Sequence, residues 1–119
     1  MNKGRKITGG KYHANRKKKF YEKTSQEKIV VLGELKRKTI RVKGGTKKTI
    51  LLSTNIVNVA ASEGMKKAEI KKVLETPQNK FLARQNRLIK GVLIETSMGK
   101  ATITNRPSRE GCVNAVLIE

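Results

Sequence analysis

Residues 1 to 28 follow neither the alternation of a strand nor the helical period of about 3.6 residues. Their six apolar side chains, Met1, Ile7, Tyr12, Ala14, Phe20 and Tyr21, are scattered among lysines, arginines and glycines. Such a segment cannot by itself offset the entropy of becoming ordered. It reads as a tail that is disordered until bound. From Ile29 the pattern changes, and 26 of the remaining 91 residues are Ile, Val or Thr, gathered in short runs between turn signals. Those side chains suit a pleated, half-buried surface.

The runs predict strands at Ile29 to Leu35 and at Thr39 to Lys43, the second with Ile40 and Val42 inward and Arg41 and Lys43 outward. Gly44-Gly45-Thr46 is a turn, a strand runs from about Lys48 to Val59, and Ser62-Glu63-Gly64 turns the chain again. Ala68 to Glu75 fits a strand imperfectly through Ala68, Ile70, Lys72 and Leu74, while Ile70, Val73 and Leu74 also fall at helical spacing; the strand reading is preferred. Pro77 ends it, and Phe81 to Asn86 forms one short helix. Val92 to Thr96 and Lys100 to Thr104 make a hairpin about Met98-Gly99, Asn105 to Gly111 is a loop, and Val113 to Ile118 is a last apolar strand. Short strands at this spacing predict a barrel or a sandwich.

Charge divides the chain at nearly the same place. The protein has 28 Lys and Arg against 9 acidic residues, a formal charge of +19. Through Lys48 the balance is +14, and from Thr49 onward it is +5. A fold does not require such asymmetry, but a polyanionic partner does, and nucleic acid is the expected one. Anionic membrane is the rival. The longest apolar runs, Ile29 to Leu32 and Ala115 to Ile118, fall far short of the roughly 20 residues that span a bilayer, and the first residues show no signal-peptide core. Cys112 is the only cysteine, which excludes a disulfide within the chain and suits a reducing cytosol.

Catalysis is disfavoured by the inventory: all nine acids are Glu, there is no Asp, and His13 and Cys112 stand alone. A phosphate-binding loop needs a Gly, four intervening residues, then Gly-Lys and a Ser or Thr. Gly10-Lys11 has Arg5 and Tyr12 at those positions, and Gly99-Lys100 has Ile94 and Ala101. His13 lies in the tail without an orienting carboxylate, and Cys112 reads as a small core residue at a strand start. No cofactor, metal or small-molecule substrate is expected.

Binding is better supplied. Charge runs are usually no more than solvated surface, yet here Tyr12, Phe20 and Tyr21 interleave with the cations of the tail, and Gly9-Gly10 permits close backbone approach. Lys43, Lys47 and Lys48 sit at a hairpin tip with Lys36, Arg37, Lys38 and Arg41 just before it. Phe81 is the sole aromatic after Tyr21, so a stacking platform on a sheet is disfavoured. What remains is recognition of the backbone and shape of folded RNA.

Several segments carry a resemblance: Arg5-Lys6-Ile7-Thr8-Gly9-Gly10 with Arg16 to Lys19, Val42-Lys43-Gly44-Gly45 to Lys48, Lys90-Gly91 to Glu95-Thr96, Gly99-Lys100-Ala101, and Asn105-Arg106-Pro107 to the Asn114-Ala115-Val116-Leu117-Ile118-Glu119 terminus. In this order they resemble the archaeal and eukaryotic small-subunit ribosomal protein S-eight-e family. The chain lacks the long insertion of eukaryotic members and is similar in size to archaeal ones. Where members carry a Trp before the first Gly-Arg, it has Asn2-Lys3. Near the end, Pro107-Ser108 and Glu110-Gly111 replace the family's Pro-Gly and Asp-Gly.

The resemblance implies an all-β fold, a small β-barrel from residue 29 to 119, with residues 1 to 28 as a basic, intrinsically disordered N-terminal arm threaded into small-subunit ribosomal RNA. It implies a structural role in the small ribosomal subunit, in the cytoplasm, beside neighbouring ribosomal proteins and without catalysis. A general nucleic-acid-binding architectural protein is the alternative. The expected RNA-binding residues are Arg5, Lys6, Thr8, Gly9, Gly10, Lys11, Arg16, Lys17, Lys18 and Lys19 in the arm, and Arg37, Lys43, Lys47, Lys48, Arg84 and Arg87 on the body.

Overall fold

The computed structural model describes residues 4–24, 26–62 and 64–118, so the expectations placed on Met1, Asn2, Lys3, Glu63 and Glu119 lie outside the described residues. Eight strands run in chain order as β1 (Val31–Leu32), β2 (Lys36–Arg41), β3 (Lys47–Thr54), β4 (Ile56–Ala61), β5 (Gly64–Glu75), β6 (Leu93–Thr96), β7 (Gly99–Ile103) and β8 (Asn114–Leu117). Two short helices interrupt them, α1 (Lys80–Arg84) and α2 (Pro107–Glu110). β4 to β8 close in sequence order into a barrel, and β1, β3 and β2 form a separate three-stranded sheet with β3 in the middle. The barrel closes through a parallel β4–β8 pair, while its other pairs are antiparallel. Closure leaves none of its five strands with an unpaired edge.

One apolar core serves both sheets. Leu51 of β3, Val57 and Val59 of β4, Ile94 of β6 and Ala101 of β7 are fully buried in a single cluster with Val30, Leu88, Val92, Ile103 and Val113. The described arm residues contribute nothing to it: residues 4–24 are all exposed. The molecule measures 72 × 37 × 24 Å with a radius of gyration of 21.3 Å, against about 13–14 Å for a compact chain of this length. The arm therefore projects from the body.

Several local expectations need correction. The strand expected from Lys48 to Val59 is two strands in two different sheets, parted by a bend at Asn55. The Thr54 hydroxyl holds that bend, accepting from Ile56 N–H at 3.1 Å, and Asn55 C=O accepts from Ile70 N–H of the barrel at 2.8 Å. The strand expected at Ile29 to Leu35 shortens to β1, because only Val31 and Leu32 lie in register beside β3. In β2, Ile40 is half-buried, but Val42 lies beyond the strand and is exposed. The hairpin turn falls at Ser97-Met98, one residue early, with Gly99 already paired to Thr96. Cys112 is half-buried in a loop before β8, not in the core.

The loop expected from Asn105 to Gly111 contains the single-turn helix α2. Pro107 opens it and Gly111 closes it in the left-handed region, with φ 74°. Asn105 braces this turn, donating to Glu110 Oε2 at 2.9 Å and to Cys112 C=O at 2.8 Å, and accepting from Asn114 N–H at 3.0 Å. A Cβ on Gly111 would stand 3.4 Å from both the Thr49 carbonyl oxygen and its methyl group. Gly111→Ala is accordingly expected to cost about 1–3 kcal/mol through the backbone conformation alone, read as a lower urea midpoint with an unchanged slope.

Candidate nucleic-acid interface

The expected residues fall in three places. At the far end of the arm, Arg5, Lys6, Thr8, Gly9, Gly10 and Lys11 build one small turn. Gly9 N–H donates to Lys6 C=O at 2.8 Å, Lys6 N–H donates to Gly10 C=O at 3.0 Å, and Arg5 bridges Lys11. The Arg5 guanidinium returns to Gly9 C=O at 2.9 Å. Of the glycine pair, only Gly9 uses the left-handed region, with φ 81°. Lys6 Nζ lies 5.7 Å from the centre of the Tyr12 ring, so cation and ring stand together and exposed.

The second arm group is Arg16 to Lys19. Arg16 forks onto Glu22 through contacts of 2.9 and 3.1 Å, and Lys19 N–H donates to the same carboxylate at 3.0 Å. These bonds, the Arg16 pair foremost, hold the Glu22 carboxyl below its usual range. Arg16 thus closes a local clip around a short 3-10 turn at Phe20–Glu22, while Lys17 and Lys18 stay exposed. Lys19 Nζ lies 6.0 Å from the Tyr21 ring, the same cation-and-ring arrangement as at Lys6 and Tyr12.

The third group lies on the body. β2 and β3 form a hairpin whose tip, Lys43–Gly45, is a 3-10 turn with Gly44 and Gly45 both at φ 83°. Register places Arg41 opposite Lys47 and Ile40 opposite Lys48. Like charges directly across a ladder repel, and Lys43 adds a third cation beside them. Arg37 sits apart from this tip, paired with Leu51 and lining a cleft of about 290 Å³ between the small sheet and the barrel. Arg84 and Arg87 also separate: Arg84 is exposed over the Phe81 ring at 5.6 Å, whereas Arg87 is largely covered and faces Glu27.

These groups do not converge on one pocket. They are strung along a long molecule, the arrangement suited to many phosphates rather than to one small ligand. Among the described residues no His, Cys and Glu side chains gather as a metal site, and no helix is long and apolar enough to cross a membrane. His13 is exposed on the arm. The sequence reading passed over Arg106 and Arg109 because their segment read as a plain loop; in the fold they border the same cleft as Arg87. Pro107 directly after Arg106, with Gly111 at the far end, was the available signal that this segment is a fixed helical turn.

Comparison with known proteins is uniform. Residues 1–118 match the family described as ribosomal protein S8e. Small ribosomal subunit protein eS8 of Methanocella arvoryzae is 41% identical over 116 residues, covering 96% of this chain and 93% of that protein. Its counterpart in Methanocorpusculum labreanum is 42% identical, covering 97% of this chain and 94% of that protein. That of Ignicoccus hospitalis is 43% identical, covering 97% and 92%. On a match that runs through arm, hairpin and barrel alike, the chain belongs to the ribosomal protein S8e family.

Proposed function

We propose that this protein is a structural constituent of the small ribosomal subunit in the cytoplasm, and that it binds small-subunit ribosomal RNA through phosphate contacts. Residues 1–28 act as an RNA-penetrating extension and residues 29–119 as the barrel domain that seats it, next to other small-subunit proteins. A ribosomal protein of this family is not an enzyme. The observation that carries the RNA reading is the arm: eight cations between Gly4 and Thr24, all exposed and answered by the single carboxylate of Glu22. Such a segment gains its order by neutralising phosphate and releasing counterions.

Co-sedimentation with ribosomal subunits, before and after a high-salt wash, tests the reading. Salt-resistant recovery with the small subunit alone is expected. Recovery at the top of the gradient, or equal competition by duplex DNA, would instead favour a general architectural protein.

A further inference from the structure

Three segments far apart in sequence, residues 26–30, 87–90 and 106–109, meet at the root of the arm and wall a cleft of about 270 Å³. Lys28, Arg87, Lys90, Arg106 and Arg109 line it, against one carboxylate, Glu27. Its floor is fixed by the core. Val30 and Leu88 are each 2% exposed, and Leu88 N–H donates to Val30 C=O at 2.9 Å. The carboxylate is a loose counter-charge: Glu27 Oε2 lies 3.7 Å from Arg87 Nη1, and its side chain is 72% exposed while that of Arg87 is 19% exposed. That distance exceeds a hydrogen bond.

Five cations and one loosely held anion leave a concave wall strongly positive, and an anion is the occupant that relieves it. The volume lies below the roughly 300–1,000 Å³ of pockets for larger organic ligands. No aromatic ring lines the cleft, so nothing there stacks on a base. A phosphate with its sugar fits both facts. The cleft also begins where the basic arm leads into β1 of the small sheet, so an RNA strand following the arm arrives at it.

We propose that this cleft seats one backbone phosphate of the RNA strand that follows the arm. Arg106 and Arg109 hold it from one wall and Arg87 from the other, with Arg87 exchanging Glu27 for the phosphate. This rests on the RNA-binding reading and adds to it the point that fixes the arm's register on the body.

The test is a salt titration of binding to transcribed small-subunit ribosomal RNA, using the full chain and three variants: R106Q/R109Q, E27Q, and K71Q/K72Q on the exposed face of β5 as a control of equal charge. The cleft variant is expected to lose about tenfold in affinity at 0.1 M salt and about 1 from the log–log salt slope. E27Q is expected to bind several-fold more tightly, which a folding defect does not produce. If R106Q/R109Q and K71Q/K72Q fall equally while the unaltered chain keeps a steep slope, the cleft proposal fails and the RNA reading stands. A flat response of the unaltered chain overturns both. Normal RNA binding by the cleft variant with loss from assembled subunits also overturns the proposal, assigning the cleft to an acidic protein neighbour.

Discussion

Replacing Arg16, Lys17, Lys18 and Lys19 together by Gln is expected to weaken binding to small-subunit ribosomal RNA by about 10³-fold at 0.1 M salt. Each phosphate contact contributes about 0.7–0.9 to the log–log salt slope, so four contacts carry roughly 3 decades at that concentration and about 3 of the slope. Binding measured from 50 to 200 mM salt reads both quantities. The fold should not register the change, since all four side chains are exposed and lie outside the core. An unfolding free energy from urea titration within about 0.5 kcal/mol of the original is the matching expectation. Removing Arg16 also opens its clip, but Glu22 keeps the Lys19 N–H, so the 3-10 turn retains one of its ties. An affinity loss of only a few-fold would mean that these residues are solvated surface and that the turn from Arg5 to Lys11, or the body, does the binding.

Leu51→Ala is expected to be the most damaging single change to the body, costing about 3–5 kcal/mol out of the roughly 5–15 kcal/mol by which such domains are stable. Leu51 is 0% exposed and lies in the small sheet, yet its cluster partners Val57, Ile94 and Ala101 belong to the barrel. The cavity would therefore open where the two sheets share their core, and it could not be filled by movement of one sheet alone. Chemical unfolding followed by circular dichroism should show a single transition displaced to lower denaturant. Two separate transitions would mean that the small sheet melts independently and that the shared core is weaker than its burial suggests. Its neighbour Leu52 is 40% exposed, and Leu52→Ala should cost less than about 1 kcal/mol.

The two predictions divide the molecule by function. On the proposed function, the arm would contribute affinity without stability, and the core stability without touching the partner. The hairpin tip belongs to both, because Arg41 and Lys47 face each other across the ladder. That repulsion weakens the free protein slightly, and the proposed phosphate contact at the tip would relieve it.

Much was legible in the sequence for plain physical reasons. The basic, apolar-poor arm, the strand content, the Gly44-Gly45 hairpin, the short helix after Pro77 and the membership of a ribosomal protein family all follow from local composition, turn chemistry or an ordered set of motifs. These are properties of neighbours in the chain. The break at Asn55 was not seen, although Ser53-Thr54-Asn55 is a polar cluster of the turn-forming kind, because the apolar run continues on both sides of it. Only the tertiary fold sends β3 into one sheet and β4 into another.

The segment from Ala68 to Glu75 carries the same lesson in its side-chain pattern. A register shift between Ile70 and Lys72 inserts one residue into β5, so that Ala68 and Ile70 point inward and then Val73, not Lys72, takes the next inward place. A bulge changes the phase of the alternation, and the resulting spacing of three between Ile70 and Val73 imitates a helix in the sequence. Barrel closure through the β4–β8 pair, and the meeting of Arg87 with Arg106 and Arg109 at the root of the arm, joined residues with no local relation to one another. The sequence by itself determined the charge, the strand-forming segments and the family. The tertiary structure decided which strands pair and which cations share a cleft, because pairing and convergence depend on long-range packing that no local period records.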